Sequence, residues 1–170
     1  MCLKNAKKIK TDKDIVCYKV LLYRSDMDSL WSPFYNKCEW EVGKRYDIEI
    51  PTKEELDEFD RIGKTDEEFP VYTRNCSYLR DSGFVEVAEK SVHNFAYHSY
   101  RDSLSAAILC RAFNSGLRNN FTDRKYVVAR CTIPKDSKYI FEGSTGSGSE
   151  EKENGYASQS LIINDIVHLK

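Results

Sequence analysis

The chain has 170 residues, 41% of them apolar and 31% charged, with 26 basic against 27 acidic side chains and a formal net charge of -1. A length of this order favours one domain around one core, and the composition excludes collagen-like and wholly disordered chains. The balanced charge excludes a global field that would steer the protein toward nucleic acid or an anionic membrane.

Residues 1–13 carry five lysines and one aspartate. Residues 1–14 are expected as a basic flexible arm, a frayed and solvated terminus, ahead of one domain over 15–170. The start, Met1-Cys2-Leu3-Lys4-Asn5-Ala6-Lys7-Lys8, lacks the apolar stretch of a secretory signal. No apolar run approaches the roughly 20 residues that span a bilayer. Ile15 to Tyr23 is rich in β-branched and aromatic types and predicts a buried strand, with a turn at Ser25–Ser29. Phe34–Trp40 and Tyr46–Ile50 predict a hairpin around Val42-Gly43-Lys44.

Pro51-Thr52-Lys53-Glu54-Glu55 opens a helix with a capping box between Thr52 and Glu55, and Leu56, Phe59 and Ile62 follow at helical spacing before Gly63. Residues 53–68 hold eight acidic and three basic side chains, the pattern of a solvated face. Ser91–Tyr100 predicts an alternating strand, with His98 and Tyr100 on one face and Tyr97 and Ser99 on the other. Arg101-Asp102-Ser103 supplies the cap of a helix over Leu104–Phe113 that is apolar around most of its circumference and is therefore expected to be the buried central helix of the core.

Lys125–Ile133 predicts a strand stopped by Pro134, Ser137–Phe141 a shorter one, and 160–169 a last one. Between them, 143–155 is a Gly/Ser/Glu segment expected as a mobile loop. The order predicts an α+β single domain, a mainly antiparallel curved sheet packed on one or two helices.

Six cysteines, at 2, 17, 38, 76, 110 and 131, are widely spaced, and several sit inside apolar runs. A chain of this length builds a core without staples, so the thiols are expected to be free and the compartment reducing and cytoplasmic. No Cys-x-x-Cys or Cys-x-x-His pair marks a zinc site, and no metal or cofactor is expected.

The segment Glu39-Trp40-Glu41-Val42-Gly43-Lys44-Arg45-Tyr46 resembles a family of bacterial and phage domains to which no biochemical activity is attached. Tyr18-Lys19-Val20 fits an earlier strand of that family, and Ala96-Tyr97-His98-Ser99-Tyr100 looks like its Gly-Phe-His motif, with alanine in the glycine place. Ile133-Pro134-Lys135-Asp136 fits its Ile-Pro-Lys-Gly element, with aspartate for glycine, and Tyr156-Ala157-Ser158 its Tyr-Ala-Ser. The likeness spans about 15 to 165, interrupted by the acidic stretch. It implies a bacterial or phage setting and a host defence component among the conceivable partners.

The candidate pocket is Tyr97, His98, Ser99 and Tyr100. Imidazole serves as acid, base or stacking platform near neutral pH, and the flanking tyrosines can stack or donate. The plainer reading of His98 is a structural histidine hydrogen-bonded to a loop. His93 lies on the opposite strand face, which argues against a two-histidine metal site.

The expected role is non-enzymatic recognition of a protein partner or small ligand. One alternative is an ADP-ribosyltransferase-like, NAD-using enzyme, to whose arrangement the strand–helix order is loosely similar. Glu151 or Glu153 would then supply the carboxylate, though a Gly/Ser loop supports such a group poorly. A second is single-strand nucleic-acid binding through Arg111, Arg118, Arg124, Lys125 and Arg130 with interleaved Phe113, Phe121 and Tyr126, residues that need not share a face.

Overall fold

The computed structural model describes residues 3–33, 39–48, 96–116, 123–145 and 154–167. Among them the chain is mainly antiparallel sheet with one helix. The strands are β1 (Lys4–Ile9), β2 (Ile15–Arg24), β3 (Ser29–Trp31), β4 (Glu39–Trp40), β5 (Arg45–Asp47), β6 (Tyr97–Tyr100), β7 (Arg124–Ile133), β8 (Ile140–Ser144), β9 (Gly155–Ser158) and β10 (Ser160–Val167), and the helix α1 (Ser103–Gly116) follows β6. The predicted capping-box helix, the acidic stretch 53–68, His93 and the loop carboxylates Glu151 and Glu153 lie outside the described residues.

β2 and β7 are the spine. They pair antiparallel over ten positions, from Ile15 opposite Ile133 to Arg24 opposite Arg124. Both are rich in β-branched and aromatic residues and each carries a cysteine, types that suit a pleated, buried surface. The sheet runs β1-β8-β9-β6-β2-β7-β10-β5, with β3 branching from β2 and β4 from β3. β9 and β10 are separated only by Gln159, yet β9 pairs with β6 and β10 with β7, on opposite flanks of β2. One length of chain therefore serves both flanks, which requires the sheet to curl.

Gln159 holds the place where the chain changes flank. Its backbone N–H donates to the Tyr139 carbonyl (3.2 Å) and its carbonyl accepts from Ile48 N–H (3.0 Å). Its side-chain Nε2 donates to the Ile48 carbonyl (3.1 Å) and its Oε1 accepts from Lys138 N–H (3.1 Å). β5 and the start of β8 are thereby tied through one buried residue.

The alternation of β2 divides the apolar residues into two cores. Cys17 and Leu21 face the interior of the curl with Leu30, Trp40, Ala129, Cys131, Ile133, Ile140, Tyr156, Leu161 and Ile163. Val20 and Val128 face the other way and meet Tyr100, Ala106 and Cys110. The sheet is thus covered by its own curl on one side and by α1 on the other.

Three expectations are corrected. The segment around Val42-Gly43-Lys44 turns, with Gly43 at φ 83°, but among the described residues its arms do not pair with each other. β4 pairs with β3, β5 with β10, and Val42 bridges Ile163 in parallel. The hydrogen bond from Gly43 N–H to the Ile163 carbonyl (2.7 Å) satisfies the turn from β10, so the arms are used to extend the curled sheet.

Residues 4–9, expected in a frayed arm, form β1 against β8, from Lys4 opposite Ser144 to Ile9 opposite Ile140, and Leu3 is buried. Lysines along an outermost strand discourage further pairing with another chain, and that lysine density disguises the strand as a tail.

The third correction concerns α1. Within the predicted capping segment Asp102 is the residue that caps it, accepting from Ser105 N–H (2.8 Å) and Ser105 Oγ (2.8 Å). Its buried side, however, is only Ala106, Ala107 and Cys110. Leu104 and Ile108 are 68% and 60% exposed. The helix lies outside the sheet because its small residues let it approach β2 and β7 closely. It is not the central helix of the core.

Candidate functional site

β6 lies between β2 and β9, with Tyr97 opposite Ser158, His98 opposite Ala157, Ser99 opposite Tyr156 and Tyr100 opposite both Gly155 and, on the other flank, Tyr18. Successive strand residues face opposite ways, and the four candidate residues divide accordingly. Tyr97 packs against the interior core, and Ser99 shares its face. Tyr100 belongs to the core under α1, and His98 shares that side. The quartet does not converge on one pocket.

Burial divides them further. Ser99 and Tyr100 are buried, whereas Tyr97 and His98 are half-buried. Desolvation pushes the Tyr100 phenol up to about 12. Ser99 and Tyr100 are poor choices for surface chemistry. The members of the quartet able to meet another molecule are Tyr97 on the inner side and His98 on the outer.

The inner side gathers residues that the motif reading did not single out. Trp40 stands with Tyr46 at 4.7 Å between ring centroids and Tyr97 at 5.1 Å, edge-on. Lys19 Nζ lies 5.5 Å from the Trp40 ring centroid and donates to the His98 carbonyl (2.8 Å). An ammonium over an indole face is an attractive arrangement that strengthens as water is removed. Lys44 repeats it over Tyr46 at 5.4 Å and also pairs with Glu41. Trp40 Nε1 is buried and has no acceptor among the described residues.

The sequence carries one signal for this cluster. Lys19 occupies an inward position between Cys17 and Leu21, where a charged side chain needs a partner. Nothing local says that the partner is the aromatic group at 40.

The outer side is simpler. Past His98, α1 presents Leu104 and Ile108 one turn apart, with Arg101 and Arg111 exposed on the same helix and its entry. Two large apolar side chains left in water at that spacing form a stripe along the helix.

The remaining candidates scatter. Phe113 packs on Tyr126 at 4.9 Å within the core under α1. Arg130 is paired with Asp165, Arg124 with Asp123 at 3.4 Å, and Lys125 lies 5.3 Å from the Tyr23 ring centroid. Arg118 and Phe121 lie outside the described residues. Among the described residues no group of three or more His, Cys, Asp or Glu is placed to hold a metal ion, and no helix is long and apolar enough to cross a membrane. Cys17, Cys110 and Cys131 are free thiols.

No protein-family model, curated protein or solved structure matches the chain. The geometry of the described residues is therefore the basis for a functional reading.

Proposed function

We propose that the chain is a single-domain α+β recognition module, cytosolic and of bacterial or phage origin, that binds a protein partner through the outer face of α1. The observation that carries this reading is the exposure of Leu104 and Ile108 at 68% and 60%. Side chains of this size, one turn apart on a helix whose other side is seated on the sheet, have the spacing by which helices enter apolar grooves. Arg101 and Arg111 flank the pair and favour an acidic rim on the partner, which would speed encounter and fix orientation.

The quartet supports recognition over catalysis. Its hydroxyl nucleophile, Ser99, is sealed in the interior, and His98 shares a side with neither Tyr97 nor Ser99. The bacterial and phage origin rests on the family resemblance.

The test is affinity purification from a bacterial host of the wild-type chain beside the double variant Leu104→Asp, Ile108→Asp. A stoichiometric protein recovered with the wild type and lost from the variant, at unchanged melting temperature, is the expected result. Recovery of no partner at any salt concentration, or equal recovery by both proteins, overturns the reading.

A further inference from the structure

Cys17 and Cys131 are direct cross-strand partners in the β2–β7 ladder, and both face the interior core, fully buried. Directly opposed residues of an antiparallel pair have Cα atoms about 4.5 to 5.5 Å apart. A disulfide spans Cα separations of about 4.4 to 6.8 Å. The pair can therefore be bridged by side-chain rotation, with the ladder left in place.

The surroundings treat the two sulfurs differently. Cys131 Sγ lies 3.6 Å from the Ala129 carbonyl, and its S–H can turn to Cys17 once that sulfur is ionised. Burial is the largest single influence on Cys17 and raises its pKa. Hydrogen bonding from Cys131 and Ser99 together with the Lys19 charge acts the other way and leaves it below the ordinary thiol range. Cys131 is pushed far up by its hydrogen bond to Cys17 and by burial. Lys19 is fixed in place by the His98 carbonyl (2.8 Å) and the Trp40 ring. The third described thiol, Cys110, faces the other core and contacts Asn114 Nδ2 at 3.6 Å, so it does not compete for either sulfur.

We propose that Cys17 and Cys131 form a redox-responsive dithiol that closes to an intrachain disulfide across β2 and β7 when the protein meets a hydroperoxide. The Cys17 thiolate attacks the terminal peroxide oxygen. The S–O bond forms, the O–O bond breaks, and the departing alkoxide takes up the proton that Cys17 had released, leaving as the alcohol. Cys17 is then a sulfenic acid. The Cys131 sulfur attacks it, the S–S bond forms, and the S–O bond breaks. The hydroxide that leaves takes the Cys131 proton as water. Two thiols are oxidised by two electrons in total, the peroxide is reduced, and a dithiol reductant reverses the change. Because both sulfurs are buried, the rate is set by local opening of the sheet.

The experiment treats the full chain with hydrogen peroxide, then denatures it in an alkylating agent and maps the peptides by mass spectrometry. The expected product is a monomer in which the Cys17 and Cys131 peptides are linked with loss of two hydrogen masses. Its melting temperature is raised, and dithiothreitol restores both thiols. Mild denaturant should accelerate the reaction. In Cys131→Ser the intermediate has no resolving thiol, and Cys17 should be labelled by a sulfenic-acid reagent. The proposal is overturned if both thiols stay alkylatable after peroxide with and without mild denaturant, if Cys17 passes to the sulfinic acid without a link, or if either cysteine joins another one.

Discussion

Asn114, near the end of α1, pairs with Tyr126 of β7 as a strand residue would. Its Oδ1 accepts from Tyr126 N–H (2.8 Å) and its Nδ2 donates to the Tyr126 carbonyl (2.9 Å). One side chain thus satisfies both backbone groups of a strand residue and fixes the helix end to the sheet. Replacing it should separate the two. Asn114→Ala is expected to cost about 1 kcal/mol of unfolding free energy, with Asn114→Asp between it and the wild type because an acceptor remains. Denaturant titrations of the three proteins measure this, and an unchanged midpoint in Asn114→Ala would refute it.

Gly155 has no room for a methyl group. A Cβ there would lie 2.4 Å from Thr145 Cγ2, 3.0 Å from Leu3 Cδ2 and 3.2 Å from the Ser99 carbonyl oxygen. Gly155→Ala is expected to destabilise by about 1–3 kcal/mol, the usual range for overpacking. Adding Thr145→Ser removes the closest atom and should recover part of the loss, a coupling that a double-mutant cycle reads directly. Additive effects would rule out the Thr145 contact as the cause.

Gln159→Leu keeps the size of the side chain and removes its polar end. The Ile48 carbonyl loses its donor and Lys138 N–H its acceptor. The expected cost is about 2 kcal/mol, because these backbone groups are part-buried and lose hydrogen bonds that water replaces poorly. Amide exchange should rise at Lys138 ahead of the β2–β7 amides, since the break is local. Uniform acceleration across the sheet would contradict that order.

The alkaline limb of stability should report Tyr100. Its folded pKa is raised to about 12 by burial, above the unfolded value of about 10. With the folded value the higher, its contribution is fully present below about pH 10. It is lost as pH rises toward 12, because the unfolded state releases its proton first. Tyr139 is raised as well, chiefly by burial, and adds to the same limb. Tyr100→Phe should flatten the fall in melting temperature above pH 10, and Tyr100→Phe with Tyr139→Phe should flatten it further. Identical alkaline slopes in all three proteins would remove burial of the phenols as the explanation.

The long spine strands and the helix cap were legible because their signals are local. Ile15–Tyr23 and Lys125–Ile133 are dense in β-branched and aromatic residues, and the Asp102 cap needs only Ser105, three positions on. The alternation that places Tyr97 and Ser99 opposite His98 and Tyr100 was legible for the same reason. The Trp40–Lys19–Tyr97 cluster was not, since it depends on β3 and β6 both pairing with β2 and on β4 pairing in turn with β3. The sidedness of α1 was lost because its apolar residues surround the whole circumference. Alanine and cysteine won the inner side by being small enough for close approach, a steric preference that apolar periodicity does not register. The lysines of β1 hid a strand by resembling a tail.

The spine joins residue 15 to residue 133, and the outermost pairing joins residue 4 to residue 144. The two halves of each pair are separated by most of this chain. A nascent chain emerging from the ribosome holds β2, complete at Arg24, for about a hundred residues of synthesis before β7 begins at Arg124. Until then only the short β3 and β6 can pair along it, and the edge that receives β7 is open to other chains, the condition under which partly made proteins stick together. Translation speed and chaperone supply, more than the stability of the finished fold, should therefore govern how much of this protein a cell accumulates.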